Sequence, residues 1–420
     1  MGGPRVGPLC LSRSGGVPLH FPPNWLGFKD EPPVPTAFRL AFLPATLLLL
    51  TSCATPPSRG MVEAVLSGDE RRIVKAVARD AAAEVLPPEL AQMPALTEAL
   101  LALIDQLWPE AEPVLAQPHV YVKYSNDYEA RAIIDFDAGW LQVETLAAEA
   151  PQEKLKDALV ATFLTSEDLR VEDIFTDALP PEDGQPFLYG QVLDHESQPL
   201  RWRWRAERFA DRLLASALKT QRIPGVRPQD PSRTLYSVRV ALVADHLHLR
   251  EKAYAESVLA SARRYDVPPS LIYAVIEVES AFNPYAVSAA QAYGLMQVVP
   301  ATAGRDVFEK VKRQPGEPTR DQLFKPDFNI DVGGAYLHLV DDLYLKDIAD
   351  SASRGFATIA AYNGGVSTAL RTFHRDQKRA VAEINRLSSA EVYAALTTRH
   401  PFAETRHYLE KVRTAEGKYR

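Results

Sequence analysis

Three stretches of this 420-residue chain carry side chains that could do chemistry. They are Glu279-Ser280-Ala281-Phe282-Asn283-Pro284 with Ser288 shortly after, then Gly294-Leu295-Met296-Gln297, and much later Ala361-Tyr362-Asn363. Together they place one carboxylate at the end of an apolar helix and surround it with amide, hydroxyl and phenol groups, a set suited to acid chemistry on a sugar. Glu277 competes with Glu279, but residues two apart on a helix point roughly 200° apart, so only one can face a cleft. Glu279 shares its side with Val275 and Ile272, whereas Glu277 stands with Tyr273. An apolar setting disfavours the charged form of a carboxyl and keeps the proton available for donation. A helix-terminal Glu is otherwise an ordinary solvated residue, and the residues after Glu279 decide between the two readings. Pro284 disfavours helical geometry at Asn283 and ends the helix there, leaving Glu279 at the lip of a loop where a substrate can enter. Gly294 to Gln297 is expected to open a new helix, with Gly294 allowing close backbone approach and Gln297 offering both a donor and an acceptor.

The elements that must position these groups follow from periodicity. Val120, Val122 and Tyr124 alternate with polar residues, as do Ala132, Ile134 and Phe136, and then Leu141, Val143 and Thr145 across Asp137-Ala138-Gly139, which predicts three strands. A helix carrying Leu155, Leu159, Val160 and Phe163 comes next. A strand pair is expected over 187–193 and 200–204, a helix over 209–218 and a last strand over 235–243. Within that pair, Arg201-Trp202-Arg203-Trp204-Arg205 would set Arg on one face and Trp, toward the core, on the other. Residues 61–108 have helical spacing. From about 249 strands vanish, and helices are expected over 254–265, 270–279 with Ser270 as N-cap, 332–344, 353–362, 365–373, 380–387, 389–396 and 403–415. The fold class is therefore α+β: an N-terminal α+β domain over 61–248, followed by an all-α domain over 249–420.

Composition narrows the function classes. The net charge of -7 comes from 47 basic against 54 acidic residues without a basic cluster, which argues against a nucleic-acid partner. Cys10 and Cys53 are the only cysteines, so neither a disulfide framework nor a cysteine metal site is expected. His119, His195, His246 and His248 are scattered, and no cofactor or metal is expected; His246-x-His248 is the one spacing that could share an ion. Residues 1–52 read as an upstream extension followed by a leader, with Arg39 as its basic end and Leu40 to Leu50 as its apolar run. That run is shorter than the roughly 20 apolar residues a membrane span takes. It ends in Leu50-Thr51-Ser52-Cys53, which resembles a bacterial lipoprotein box, and implies a lipid on Cys53 ahead of a linker over 53–60. Acyl chains there would hold the protein to a membrane, each buried methylene contributing about 0.8 kcal/mol.

Glu279-Ser280-x-x-Asn283-Pro284, Ser288, Gly294-Leu295-Met296-Gln297, Thr302-Ala303, Asn329-Ile330, Tyr336-Leu337 and Ala361-Tyr362-Asn363 resemble, in order and spacing, the catalytic domain of the soluble lytic transglycosylases. The closing stretch Thr397-Thr398-Arg399-His400-Pro401, Glu404, Arg406, Tyr408-Leu409 and Lys411-Val412 is similar to the membrane-bound lytic murein transglycosylase C branch, as are Tyr121 to Tyr124, Phe187 to Val192 and Tyr236-Ser237-Val238. The resemblance implies a lysozyme-like helical domain that cuts the MurNAc-GlcNAc bond of peptidoglycan without water, leaving 1,6-anhydro-muramoyl ends. It implies Glu279 as acid and base, Ser288, Gln297 and Glu404 lining the glycan cleft, Tyr362 orienting the acid with Asn363 beside it, and Met296 and Tyr408 as wall residues or core packing. It further implies glycan strands as substrate, an outer-membrane lipid anchor facing the periplasm, and cell-wall synthesis or division proteins as partners. Two places depart from the pattern, Val299 where many relatives have Met, and Gln291-Ala292-Tyr293 where many have Gly-Ala before the next Gly; both bear on cleft shape rather than on the acid.

The residues agree with a one-acid reaction. Glycosidases that use water need a second carboxylate, and Asp306, Asp321, Asp331 and Asp341 all sit in polar, helix-start or surface settings. A lone acid suffices if the sugar's own 6-hydroxyl attacks, because holding it in place lowers the barrier by ~7 kcal/mol or more. Two alternatives stay open here: a lysozyme-type hydrolase, whose product is heavier by one water, and a wall-binding protein that has lost its activity.

Overall fold

The computed structural model describes residues 108, 116–126, 128–166, 184–224, 231–288 and 290–420. The leader, Cys53, the linker and the helical spacing of 61–107 lie outside the described residues. The alternating stretches form strands β1 (Val120–Ser125), β2 (Ala130–Asp135) and β3 (Trp140–Thr145). Then come α1 (Pro151–Phe163), α2 (Arg203–Ser216), β4 (Lys219–Ile223) and β5 (Arg233–Ala241). The strands make one antiparallel sheet in the order β1-β2-β3-β5-β4. Register keeps one face apolar: Val143 lies between Ala132 and Val238, and Leu141 between Ile134 and Val240. Helices α1 and α2 cover it with Leu155, Leu159, Phe163 and Phe209, the last two rings 5.5 Å apart. Each such fully buried side chain contributes about 1.5–3 kcal/mol.

Two expectations for this region are corrected. The strand pair over 187–193 and 200–204 shrinks to a bridge between Leu193 and Pro199, because Asp194 Oδ1 accepts from the Glu196 and Gln198 backbone N–H groups (2.8 and 2.9 Å) and turns the chain tightly. The Arg-Trp alternation then runs into α2, whose buried Ala206, Phe209, Ala210 and Leu213 have helical spacing, so the longer 3.6 period overrides the short one. Trp202 and Trp204 are 57% and 55% exposed rather than turned to a core. Strand β4 escaped the sequence reading because four of its five residues are exposed and polar; main-chain pairing to β5 defines it.

From His246 onward the chain is helical: α3 (His246–Ala253), α4 (Ala255–Tyr265), α5 (Pro269–Ser280), α6 (Arg320–Leu323), α7 (Pro326–Leu339), α8 (Ser351–Gly364), α9 (Val366–Arg371), α10 (Gln377–Ile384), α11 (Ser389–Arg399) and α12 (Ala403–Glu416). Short π-helical turns occupy Pro300–Gly304, Val307–Val311 and Val340–Tyr344. Helix α5 starts one residue earlier than expected: Pro269 takes its first position, where a missing N–H costs nothing, so Ser270 is not the cap. Ile272, Val275 and Ile276 of α5 form the centre of the helical core with Ile330, Ile359, Leu409 and Val412. Just beyond α5 the chain crosses into the other core. Ala281 and Tyr285 pack beneath the sheet, with the Tyr285 ring 5.0 Å from Tyr121 and 5.2 Å from Phe187.

Candidate active site

Helix α5 separates its two acids as the spacing requires. Glu277 is bound by Lys418 and by the Tyr419 hydroxyl (2.6 Å), which ties down the C-terminal end of the chain. Glu279 points elsewhere, toward Tyr362 of α8 and Glu404 and Tyr408 of α12. Past Ser280 the chain takes two left-handed residues in succession, Ala281 (φ 49°) and Phe282 (φ 61°), which sharply ends the helix beside the acid. The fully buried Ser280 hydroxyl donates to the Ile276 carbonyl (3.1 Å) and to the Leu295 carbonyl (2.8 Å), joining the helix end to the Gly294–Gln297 segment.

That segment is a turn and not the opening of a helix. Asn329 of α7 dictates it: its Oδ1 accepts from the Met296 N–H (2.8 Å), and its Nδ2 donates to the Tyr293 and Leu323 carbonyls (2.7 Å each). Gly294 has φ 73°, and a Cβ there would lie 2.5 Å from the Leu323 carbonyl. Gly294→Ala is therefore expected to cost roughly 2 kcal/mol or more in urea unfolding, from left-handed strain together with the clash. A loss below a few tenths of a kcal/mol would show the turn to be pliable.

Burial is the main influence on Glu279 and lifts its carboxyl pKa from 4.5 to about 7; the Tyr408 hydroxyl opposes it, Glu404 adds to it, and His119 opposes it. Part of the residue stays accessible, as donation to an external molecule requires. Tyr408 is buried with its hydroxyl beside the Glu279 carboxyl, whose charged form it favours. The Tyr362 hydroxyl donates to the Met296 carbonyl (2.8 Å), so it flanks Glu279 with its proton already committed. Burial, and next to it the neighbouring carboxyl, push both phenols well above their ordinary range.

The remaining sequence-derived residues divide. Asn363 follows Tyr362 and meets α12, accepting from the Thr405 hydroxyl (2.6 Å) and reaching the exposed Glu404 at 3.5 Å. Gln297 donates to the Ala286 and Gly294 carbonyls (3.1 and 3.0 Å), while its buried Oε1 has no partner within the protein. Ser288 closes the adjoining loop by accepting from the Ala292 N–H (3.1 Å). Met296 does not reach the cleft. Its side chain is 0% exposed and fills the space left by the missing Cβ of Gly333, so the reading of it as core packing holds and that of a wall residue does not. Asp306, Asp331 and Asp341 are each held by cations and hydroxyls of their own, Lys310 and Tyr344, Arg264, Lys312 and Tyr265, and Arg354 and Thr358. Among the described residues no group of three His, Cys, Asp or Glu side chains gathers as a metal site. His246 accepts from Arg250 (2.9 Å) and His248 pairs with Glu251 (3.0 Å), so these two histidines have separate partners.

His119, passed over in the sequence as one of several scattered histidines, lies at this site. Its Nε2 is 3.0 Å from the Val278 carbonyl, one residue before the acid, and its Nδ1 is 2.8 Å from Asp137.

Residues 88–253 match the family model described as the N-terminal domain of membrane-bound lytic murein transglycosylase C, and residues 256–385 match the transglycosylase SLT domain. A membrane-bound lytic murein transglycosylase C of Sodalis glossinidius is 46% identical over 318 residues, 76% of this chain and 87% of that protein. The proteins of the same name from Photorhabdus laumondii and Yersinia pestis are 43% and 44% identical over 317 and 318 residues, again 87% of their lengths. Among solved structures, the 70 kDa soluble lytic transglycosylase SLT70 of Escherichia coli is 30% identical over 42% of this chain and 25% of its own, with a TM-score of 0.32. The Glu279 site thus lies at the junction of two adjoining matched domains, and with relatives this similar over most of their length, the chain belongs to the membrane-bound lytic murein transglycosylase C family.

Proposed function

We propose that the protein cleaves the MurNAc-GlcNAc bond of peptidoglycan as a lytic transglycosylase, with Glu279 as its one acid and base. The observation that carries this reading is the placement of the Glu279 carboxyl, partly accessible at the end of α5 and flanked by Tyr362, Glu404 and Tyr408, where burial raises its pKa to about 7. Near neutral pH such a group is protonated often enough to give a proton and is basic enough to take one back. Glu279 protonates the bridging oxygen as the bond from it to the MurNAc C1 breaks; its carboxylate then accepts the proton of the C6 hydroxyl, and O6 bonds to C1. One bond breaks, one forms, and the enzyme ends with its proton restored. The Tyr408 hydroxyl favours the carboxylate between the two steps, and Ser288, Gln297, Asn363 and Glu404 supply polar groups along the glycan path. The buried Gln297 Oε1 suits a donor on the sugar, such as a hydroxyl or amide N–H.

Mass analysis of fragments released from purified sacculi tests the reaction: anhydro ends support it, and reducing ends mark a hydrolase. Glu404 supplies a second test, being the one exposed carboxylate that acts on Glu279. Glu404→Gln is expected to lower kcat by less than about tenfold and leave the product unchanged. Because the Glu404 charge raises the Glu279 pKa, its removal should move the alkaline limb of the pH profile to lower pH. A loss of about 10³-fold with reducing ends would instead make Glu404 the activator of a water.

The family name and the Cys53 box support attachment to a membrane by a lipid on Cys53, with the two matched domains facing the wall. No helix among the described residues is long and apolar enough to cross a membrane. Loss of lipid labelling in Cys53→Ser would bear this out, and unchanged labelling would refute it. We also propose a domain division near residue 248; the separate matches to 88–253 and 256–385 support a two-domain reading with a boundary close to it.

A further inference from the structure

An α-helix leaves its last four carbonyls without partners inside the helix, and those of α5 surround Glu279. Glu277 and Ser280 have theirs satisfied locally, by the Ala281 and Asn283 N–H groups (2.9 Å each). Val278 does not. Its carbonyl is taken by His119 Nε2 at 3.0 Å, from a residue 159 positions earlier in the chain. Four further bonds meet at the same place. Asn283 Nδ2 donates to the carbonyl of Pro118, the neighbour of His119 (3.1 Å). The buried Arg250 donates from Nε to the Ala281 carbonyl (3.0 Å) and from an Nη to Gln191 Oε1 (2.7 Å). The Tyr285 hydroxyl donates to the Ser166 carbonyl. His119 and Arg250 both fall within residues 88–253, so the first matched domain supplies the end cap of a helix that belongs to the second.

The partners of His119 fix its charge state by geometry. Nε2 faces a carbonyl, which only accepts, and Nδ1 faces both oxygens of Asp137 at 2.9 and 2.8 Å. Both ring nitrogens must then carry hydrogen, which makes the ring an imidazolium. A cation at a helix C-terminus is favoured by the peptide dipoles. We propose that His119, held as a cation by Asp137, is a positioning residue that caps α5 at Val278, fixes the direction of Glu279 and stabilises the carboxylate formed when Glu279 gives up its proton. This rests on the reading of Glu279 as the proton donor.

The surrounding charges agree. Burial works against the His119 cation, but its bond and attraction to Asp137 prevail and raise its pKa, with Lys411 of α12 opposing. Asp137 is held low first by His119 and then by Lys411 and Arg250, against the cost of burial. Glu279 itself feels Tyr408, Glu404 and His119. Loss of the imidazolium should therefore leave Glu279 harder to ionise.

The test uses the full chain and three variants, His119→Gln, His119→Ala and Asp137→Asn. Kinetics on sacculi are measured with thermal unfolding and with the titration of the Glu279 carboxyl by carbon-13 NMR. His119→Gln and His119→Ala are expected to lower kcat by about ten- to thirtyfold with KM within about twofold, and to move the Glu279 titration and the alkaline limb to higher pH. A purely structural role would not move that titration. Asp137 has an exposed side chain, so Asp137→Asn should fold even where the His119 variants do not. It lowers the His119 pKa, and the ratio of its kcat to that of the parent should fall from pH 6 to pH 8. Unchanged kcat and an unmoved Glu279 titration in the His119 variants, or a pH-independent ratio for Asp137→Asn, would overturn the proposal. If the parent releases no anhydro sugar, the proposed reaction is wrong, while the Glu279 titration still reads the effect of His119.

Discussion

Glu279→Gln is expected to reduce release of anhydro sugars from sacculi by about 10³-fold or more, with KM little changed. Glutamine matches the protonated carboxyl in shape and lack of charge, so the glycan path formed by Ser288, Gln297 and Asn363 is preserved. What is lost is the only transferable proton in a site where Tyr362 has already committed its own to the Met296 carbonyl. Tyr408 cannot substitute, since burial and the adjacent carboxyl push its pKa well above the ordinary phenol range. Turnover within about tenfold of the parent would show that another group protonates the leaving oxygen.

The same substitution should stabilise the protein, by an amount that grows as pH rises from about 4.5 and levels off above the folded-state pKa. The folded-state pKa of Glu279 is raised from 4.5 to about 7, chiefly by burial. A carboxyl raised in this way contributes stability that is fully present below its unfolded pKa and is lost as pH rises through the folded one. The shift corresponds to about 3 kcal/mol lost between roughly pH 4.5 and pH 8. Because the residue is partly open to water, that figure is an upper bound. Glutamine carries no such loss. Urea unfolding at pH 8 should find Glu279→Gln more stable than the parent by up to about 3 kcal/mol, and at pH 4 no more stable. Equal stability at pH 8 would mean the carboxyl is better solvated than its surroundings imply. Activity and stability are thus in opposition at this position: burial gives the acid its useful pKa and lowers the stability of the neutral-pH fold.

Much of this site was legible in the sequence because its signals are local. The spacing of Glu277 and Glu279 along one helix separates the residue that fastens Tyr419 from the one that faces Tyr362. Pro284 marks the end of that helix, and alternation finds β1, β2, β3 and β5. Where the reading failed, a longer-range interaction decided the outcome. Gly294 to Gln297 has the look of a helix start, but Asn329, more than thirty residues on, bonds it into a turn. The Arg-Trp run alternates like a strand until the apolar positions of α2 are counted through to Leu213. Met296 sits beside the cleft in sequence yet points into the gap at Gly333. His119 gave no signal, since its meaning comes from Val278 across 159 residues and from Asp137 in a hairpin turn. Arg250 was missed for the same reason. It lies near the end of the first matched region, and its partners Gln191 and Ala281 come from opposite sides of it.

Digestion of purified sacculi in water labelled with heavy oxygen decides whether the sugar attacks itself. With Glu279 as sole acid and the C6 hydroxyl as nucleophile, the new MurNAc ends should be anhydro and contain no label. Labelled reducing ends as the main product would show that water is the nucleophile, and a one-carboxylate reaction at Glu279 would have to be abandoned.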